Sequence, residues 1–155
     1  MAARTRRPLG LASAFWDASA LVPLCVRQEN TPLVHGWYKT HEVVVWWATS
    51  VEIASALARL LRMKHLDVKQ WGKALKSIAE LAETWSVIPP SAAIRGKAIE
   101  LVEHYDLRAG DALQLAAALE WCEGASLGRT FLTADDRLRQ AATLNGFDTS
   151  TPSAK

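Results

Sequence analysis

Apolar positions recur along this chain with two periods, and their alternation sets out the elements. Ala14-Phe15-Trp16 is a short apolar run halted by Asp17-Ala18-Ser19, after which Ala20, Leu21, Leu24 and Cys25 return at helical spacing. A strand, a tight junction and a helix are expected there, with Pro23 in the first turns of the helix. Asn30 to Thr40 is polar and aromatic by turns and reads as a short helix. Val43-Val44-Val45-Trp46-Trp47 is β-branched and aromatic throughout, as suits a strand covered on both faces in a parallel sheet. That strand ends at Thr49. Val51, Ala54, Ala58 and Leu61 then mark a helix, and Thr49 with Glu52 three residues on has the form of a capping box. A second long helix carries Val68, Trp71, Leu75, Ile78, Ala82 and Trp85 on one face, so Trp71 and Trp85 are expected in the core. Lys69, Lys73 and Lys76 share another face, read as the solvated one.

Val87-Ile88 is a minimal strand closed by Pro89-Pro90, which supply no further backbone donors. A helix follows from about Ala92 to Tyr105. From Leu107 to Leu119 the chain is apolar on almost every side once past Asp111, the mark of a helix buried within the domain. Thr130 to Thr133 forms the next strand, and a helix opening at Asp135-Asp136 carries Leu138, Ala141, Ala142 and Leu144 up to Gly146. Phe147 begins a last edge strand.

Strands alternating with helices imply an α/β domain with a mainly parallel sheet flanked by helices, in which ligands bind beyond the carboxyl ends of the strands. The acids collect at that edge. Asp17 follows the first strand, Glu52 the second, Asp135 the strand ending at Thr133, and Asp111 opens the buried helix just before that strand. Each alone is explained by helix capping and the helix dipole. Four together are different, because two carboxylates about 4 Å apart repel by about 4 kcal/mol at an effective dielectric near 20. A divalent cation is the obvious compensation, and an all-oxygen donor set suits Mg²⁺ or Mn²⁺ better than zinc.

Length and composition bound this picture without changing it. At 155 residues, one core is expected: a single domain over 13–150, after a loose basic leader at 1–12 and before a polar tail at 151–155. The net charge of +2 excludes a polycation and leaves room for nucleic acid held by a local patch. Cys25 and Cys122 form no CxxC pair, which points to a reduced, cytoplasmic home. Arg4, Arg6 and Arg7 before Ala12-Ser13-Ala14 imitate a signal peptide, but the apolar stretch is too short, and extending it to Val26 would carry Asp17 and Pro23 through a bilayer. No membrane association is expected. The four histidines lack metal-ligand spacing, there is no GxGxxG or glycine-rich phosphate loop, and Asp17-Ala18-Ser19 is not a DxD. Seven tryptophans suggest that some serve an interface.

The ordered stretches FWDASALVPL (15–24), SVEIASALAR (50–59), LRAGDALQLAAAL (107–119) and FLTADDRLRQAA (131–142) resemble the PIN-domain nucleases, most closely the VapC-type toxins of bacterial toxin–antitoxin pairs. The likeness spans nearly the whole chain after the leader, which is longer than such proteins lead one to expect. It implies a PIN-like fold and metal-dependent cleavage of RNA to 5′-phosphate and 3′-hydroxyl ends. Asp17, Glu52, Asp111 and Asp135 match the family's acidic positions, as catalytic residues and metal ligands, with Ser19 and Thr133 as supporting hydroxyls. Asp136 competes with Asp135 for the fourth place, and the Thr-x-Asp spacing favours Asp135. Arg108 either meets a substrate phosphate or neutralises the acids. The implied partners are an RNA substrate, a cognate antitoxin and a second copy in a homodimer, with the helical pair around 50–85 contributing to both protein interfaces. The competing readings are a non-catalytic PIN module that binds RNA or protein, and another metal-dependent phosphoesterase such as a DNA nuclease.

Overall fold

The computed structural model describes residues 10–149, so most of the expected leader and the polar tail lie outside the described residues. Four strands, β1 (Ala12–Trp16), β2 (His41–Trp46), β3 (Ser86–Ile88) and β4 (Thr130–Leu132), pair in parallel in the order β3-β2-β1-β4. Side chains of a strand point alternately to its two faces, and both faces here are covered. Trp16, Val43, Val45 and Leu132 face one core, with Ile53, Leu57 and Ile78 from the helices. Phe15, Val44, Trp46 and Phe131 face the other, with Ile94, Leu115 and Leu138. The first core is roofed by α1 (Ala18–Leu21), α2 (Thr31–Thr40), α3 (Thr49–Arg62) and α4 (Val68–Ala82), and the second by α5 (Ala92–His104), α6 (Ala109–Trp121) and α7 (Asp136–Leu144). The result is a three-layer α/β domain.

The apolar runs therefore mark the strands correctly, and the differences lie at junctions. β1 begins at Ala12, two residues before the apolar run. The helix expected after Asp17 is only one turn of α-helix and passes into a 3₁₀ turn, Val22–Leu24. Pro23 accounts for this, since its ring and its missing N–H oppose continuation of the α-helical ladder. Trp47 lies beyond β2 and is 61% exposed, which makes it the large exposed aromatic that a tryptophan-rich chain suggests. The edge strand expected at Phe147 is a single parallel bridge between Thr130 and Asp148. Trp85 is buried and Trp71 packs against the first core, while Lys69, Lys73 and Lys76 are exposed. The two cysteines are free thiols. Among the described residues no helix is long and apolar enough to cross a membrane.

The capping box expected at Thr49 and Glu52 does not form. Ala48 caps α3 without a side-chain bond, and Thr49 is the first helical residue, fully buried. Its hydroxyl is used across the fold, as described below. The capping box belongs instead to α4, where Asp67 Oδ1 accepts from Gln70 N–H at 2.7 Å and Gln70 Oε1 from Asp67 N–H at 2.9 Å.

Gly146 ends α7 with φ of 91°, and a Cβ there would stand 2.7 Å from Ser126 Oγ, which itself bonds the Asn145 carbonyl. Gly146→Ala therefore meets both a left-handed backbone and a crowded neighbour. The expected cost is about 1–3 kcal/mol, read as a lower denaturation midpoint in urea with an unchanged slope.

Candidate active site

The parallel sheet sends β1, β2 and β4 to the same edge, and the chain leaves each strand through an acid-bearing junction. Asp17 follows β1 directly and its N–H continues the ladder to the Leu132 carbonyl at 3.0 Å. That last rung fixes where the Asp17 side chain leaves the sheet. The carboxylate caps α1 through the Ser19 N–H at 3.2 Å, and Oδ2 also accepts from the Ser19 and Thr133 hydroxyls, the latter at 3.0 Å. Ser19 Oγ in turn accepts the Ala134 N–H at 2.9 Å, and Thr133 Oγ1 the Asp135 N–H at 3.0 Å. Ser19 and Thr133 thus tie the start of α1 to the loop after β4.

Asp135 is the N-cap of α7, accepting the Leu138 N–H at 2.8 Å. It lines the cleft described below, whereas Asp136 is turned to Arg139 in a surface ion pair. Asp111 is the third residue of α6 and receives the backbone N–H of Arg108, the capping residue. Helix start and cleft wall are the same place, so this carboxylate serves both.

Glu52 lies in the first turn of α3, and its Oε2 accepts from Gln114 Nε2 at 3.0 Å. Gln114 is wholly buried on α6, and the same Nε2 donates to Thr49 Oγ1 at 3.3 Å. Sequence reasoning did not single out Gln114. Its signal was that of a lone amide inside an apolar run, three residues beyond Asp111 and so on the same helical face.

Asp17, Glu52, Asp111 and Asp135 line one cleft of about 380 Å³, together with Ser19, Gln28 and Arg59. Arg59 was also missed. It stands seven residues after Glu52 on α3, which returns it to the same face. Gln28 belongs to a loop and carries no pattern by which the chain announces it. Arg108 is exposed, and its charge, like that of Arg137, favours ionised Asp111.

The acids pay electrostatically for this company. Burial raises the pKa of Asp17 above the usual carboxylate range, against the pull of its hydroxyl partners, and Asp111 adds to the rise. Burial pushes Glu52 up to about 7, with the Gln114 bond opposing and Asp17 and Asp111 reinforcing. Asp111 is raised by burial first and then by Asp135. Among the described residues, no three His, Cys, Asp or Glu side chains converge closely enough to hold an ion between them as they stand. The donors still fit a hard divalent cation, because all are oxygens and Mg²⁺ keeps several waters while taking one or two carboxylates. Asp17 and Asp111, which repel each other across the cleft, are the pair whose charge such an ion would offset.

The PIN domain family model matches residues 14–144. No curated protein matches the chain in sequence. Among solved structures, VapC20 of Mycobacterium tuberculosis, described as a sarcin-ricin loop cleaving toxin, superposes with a TM-score of 0.66 at 16% identity, covering 90% of this chain and 100% of its own. FitAcB of Neisseria gonorrhoeae gives 0.60 at 18%, covering 87% and 96%. A toxin–antitoxin complex from Klebsiella pneumoniae gives 0.53 at 18%, covering 79% and 87%.

The raised carboxylates fix the sign of a pH dependence. A group whose folded pKa lies above its free value stabilises the fold fully below the free value and loses that contribution as pH rises through the folded one. For Glu52 the window runs from 4.5 to about 7, and Asp17 and Asp111 shift in the same direction. Chelator-treated protein is expected to melt at a lower temperature at pH 8 than at pH 5.5, and Glu52→Gln to narrow the difference. Calorimetry across that range checks it, and an unaltered difference in the variant removes Glu52 as its source.

Proposed function

The chain is a member of the PIN-domain family, and from that premise we propose that it is a Mg²⁺- or Mn²⁺-dependent endoribonuclease, the toxin of a type II toxin–antitoxin pair. The observation that carries this reading is the meeting of Asp17, Glu52, Asp111 and Asp135 in one cleft at the carboxyl edge of the sheet. The sarcin-ricin loop cleavage ascribed to VapC20 supports RNA as the substrate class, and the Klebsiella complex supports an antitoxin partner. For both protein interfaces, the antitoxin's and that of a homodimer, we favour the α3–α4 pair, where Val51, Met63 and Val68 stand exposed.

In this reading Asp17 and Asp111 hold the ion, and Ser19 and Thr133 keep Asp17 oriented toward it. The bound ion would polarise a phosphodiester oxygen and lower the pKa of a water for in-line attack. Glu52 has one oxygen engaged by Gln114, which leaves the other to receive a proton from the attacking water or to complete the ligand set. Asp135 shares that second task from the far wall. Arg59 within the cleft and Arg108, whose charge acts on Asp111, supply charge for phosphates of the bound strand. The competing reading is a PIN module that binds RNA without cutting it.

One assay separates the two. Incubation with a total RNA pool, with and without Mg²⁺ or Mn²⁺, followed by mapping of cut ends, is expected to give metal-dependent cleavage that Asp17→Asn and Asp111→Asn abolish. Full activity in both variants overturns the assignment, and binding without cleavage favours the module. Asp111→Asn is further expected to leave the metal-free protein at least as stable as the parent. It should also remove most of the thermal stabilisation by Mg²⁺, which for a bound ion at a hundred times its Kd is about 2.7 kcal/mol.

A further inference from the structure

We infer that Gln114 is a positioning residue that holds Glu52 at a set distance from Asp111, and that metal affinity depends on this tie. The inference rests on the metal-dependent reading of the cleft. Its basis is where the two acids come from. Glu52 stands on α3, whose apolar face belongs to one core, and Asp111 on α6, whose apolar face belongs to the other. The sheet separates these layers along most of its length.

Gln114 crosses that gap. It stands one helical turn from Asp111 on α6, and its Nε2 bonds both Glu52 Oε2 at 3.0 Å and Thr49 Oγ1 at 3.3 Å, residues that are themselves one turn apart on α3. Among the described residues these are the side-chain hydrogen bonds that join α3 to α6. One amide therefore holds both ends of the first turn of the opposite helix. The price is visible in the same side chain, because Gln114 is fully buried and its Oε1 has no hydrogen-bond partner. A buried acceptor left unsatisfied is unfavourable, and an apolar side chain of similar volume would avoid it. A residue retained only for packing has no use for the amide.

The test compares the full chain with Gln114→Met, Glu52→Gln and the double variant, using Mn²⁺ titration followed by electron paramagnetic resonance, melting in chelator, and RNA cleavage kinetics. Gln114→Met is expected to weaken Mn²⁺ binding by about 10–100-fold, as loss of a group that orients a ligand does. Its kcat should fall while KM for RNA holds. If Gln114 acts through Glu52, its effect on Mn²⁺ affinity vanishes in the Glu52→Gln background. A Gln114→Met protein that melts earlier yet binds Mn²⁺ as the parent does would have lost only packing, and the inference falls. So it does if the affinity loss persists in the Glu52→Gln background. Failure of the parent itself to bind Mn²⁺ overturns the metal reading of the cleft together with this inference, whereas normal binding by both proteins overturns the inference alone.

Discussion

A carboxylate kept almost out of water, with hydroxyls and a backbone N–H for partners, is the constraint around which this fold is arranged. Asp17 directly follows β1, which pairs with β2 on one side and β4 on the other. Its own N–H adds a rung to the β4 side, so the side chain cannot move without disturbing the sheet. Ser19 from the start of α1 and Thr133 from the loop after β4 approach the same oxygen, and their hydroxyl oxygens accept the N–H groups of Ala134 and Asp135. In this way a single carboxylate sets the paths of the chain after β1 and after β4, and with them the start of α7 and the position of Asp135. Removing either hydroxyl would leave a buried charge short of a donor, which costs more than an ordinary hydrogen bond contributes.

The remaining acids are placed by helices rather than by strands. Asp111 is held by the buried body of α6, whose Ala112, Leu115 and Ala116 fill the second core. Glu52 rides on α3 over the first core. Carboxylates in neighbouring layers repel across the sheet edge, and burial adds to the cost of ionising them, so Asp17, Glu52 and Asp111 all resist losing their protons. At Asp111 the charges of Arg108 and Arg137 offset part of this. A site of this kind is built at the expense of stability, which is the usual mark of a surface kept for a ligand rather than for folding.

The chain order of strands and helices was legible because apolar periodicity and burial have the same cause. A run such as Val43 to Trp46 has no polar position to offer water and so lies between two layers. The four acids were legible too, since a carboxylate directly after a strand in a parallel sheet has one edge to which it can go. The junctions were less so. Thr49 and Glu52 carry the pattern of a capping box, but Thr49 is buried against Gln114, and a contact between residues 65 apart in sequence leaves no trace in local spacing. Pro23 did carry its signal, and its effect was to shorten the helix it was expected to begin.

Sequence alone therefore determined the α/β class, the parallel sheet and the existence of the buried helix, expected over 107–119 and found over 109–121, because each depends on residues within a few positions of one another or on a repeating period. Tertiary structure decided which neighbours the four acids keep. Asp135 rather than Asp136 lines the cleft because α7 begins where Thr133 accepts the Asp135 N–H. Arg59 and Gln28 join it because α3 and the loop after Pro23 converge there, and Gln114 reaches Glu52 because two helices from opposite layers meet at the end of the sheet. Distances between layers depend on how both cores pack, and no local stretch of the chain contains both.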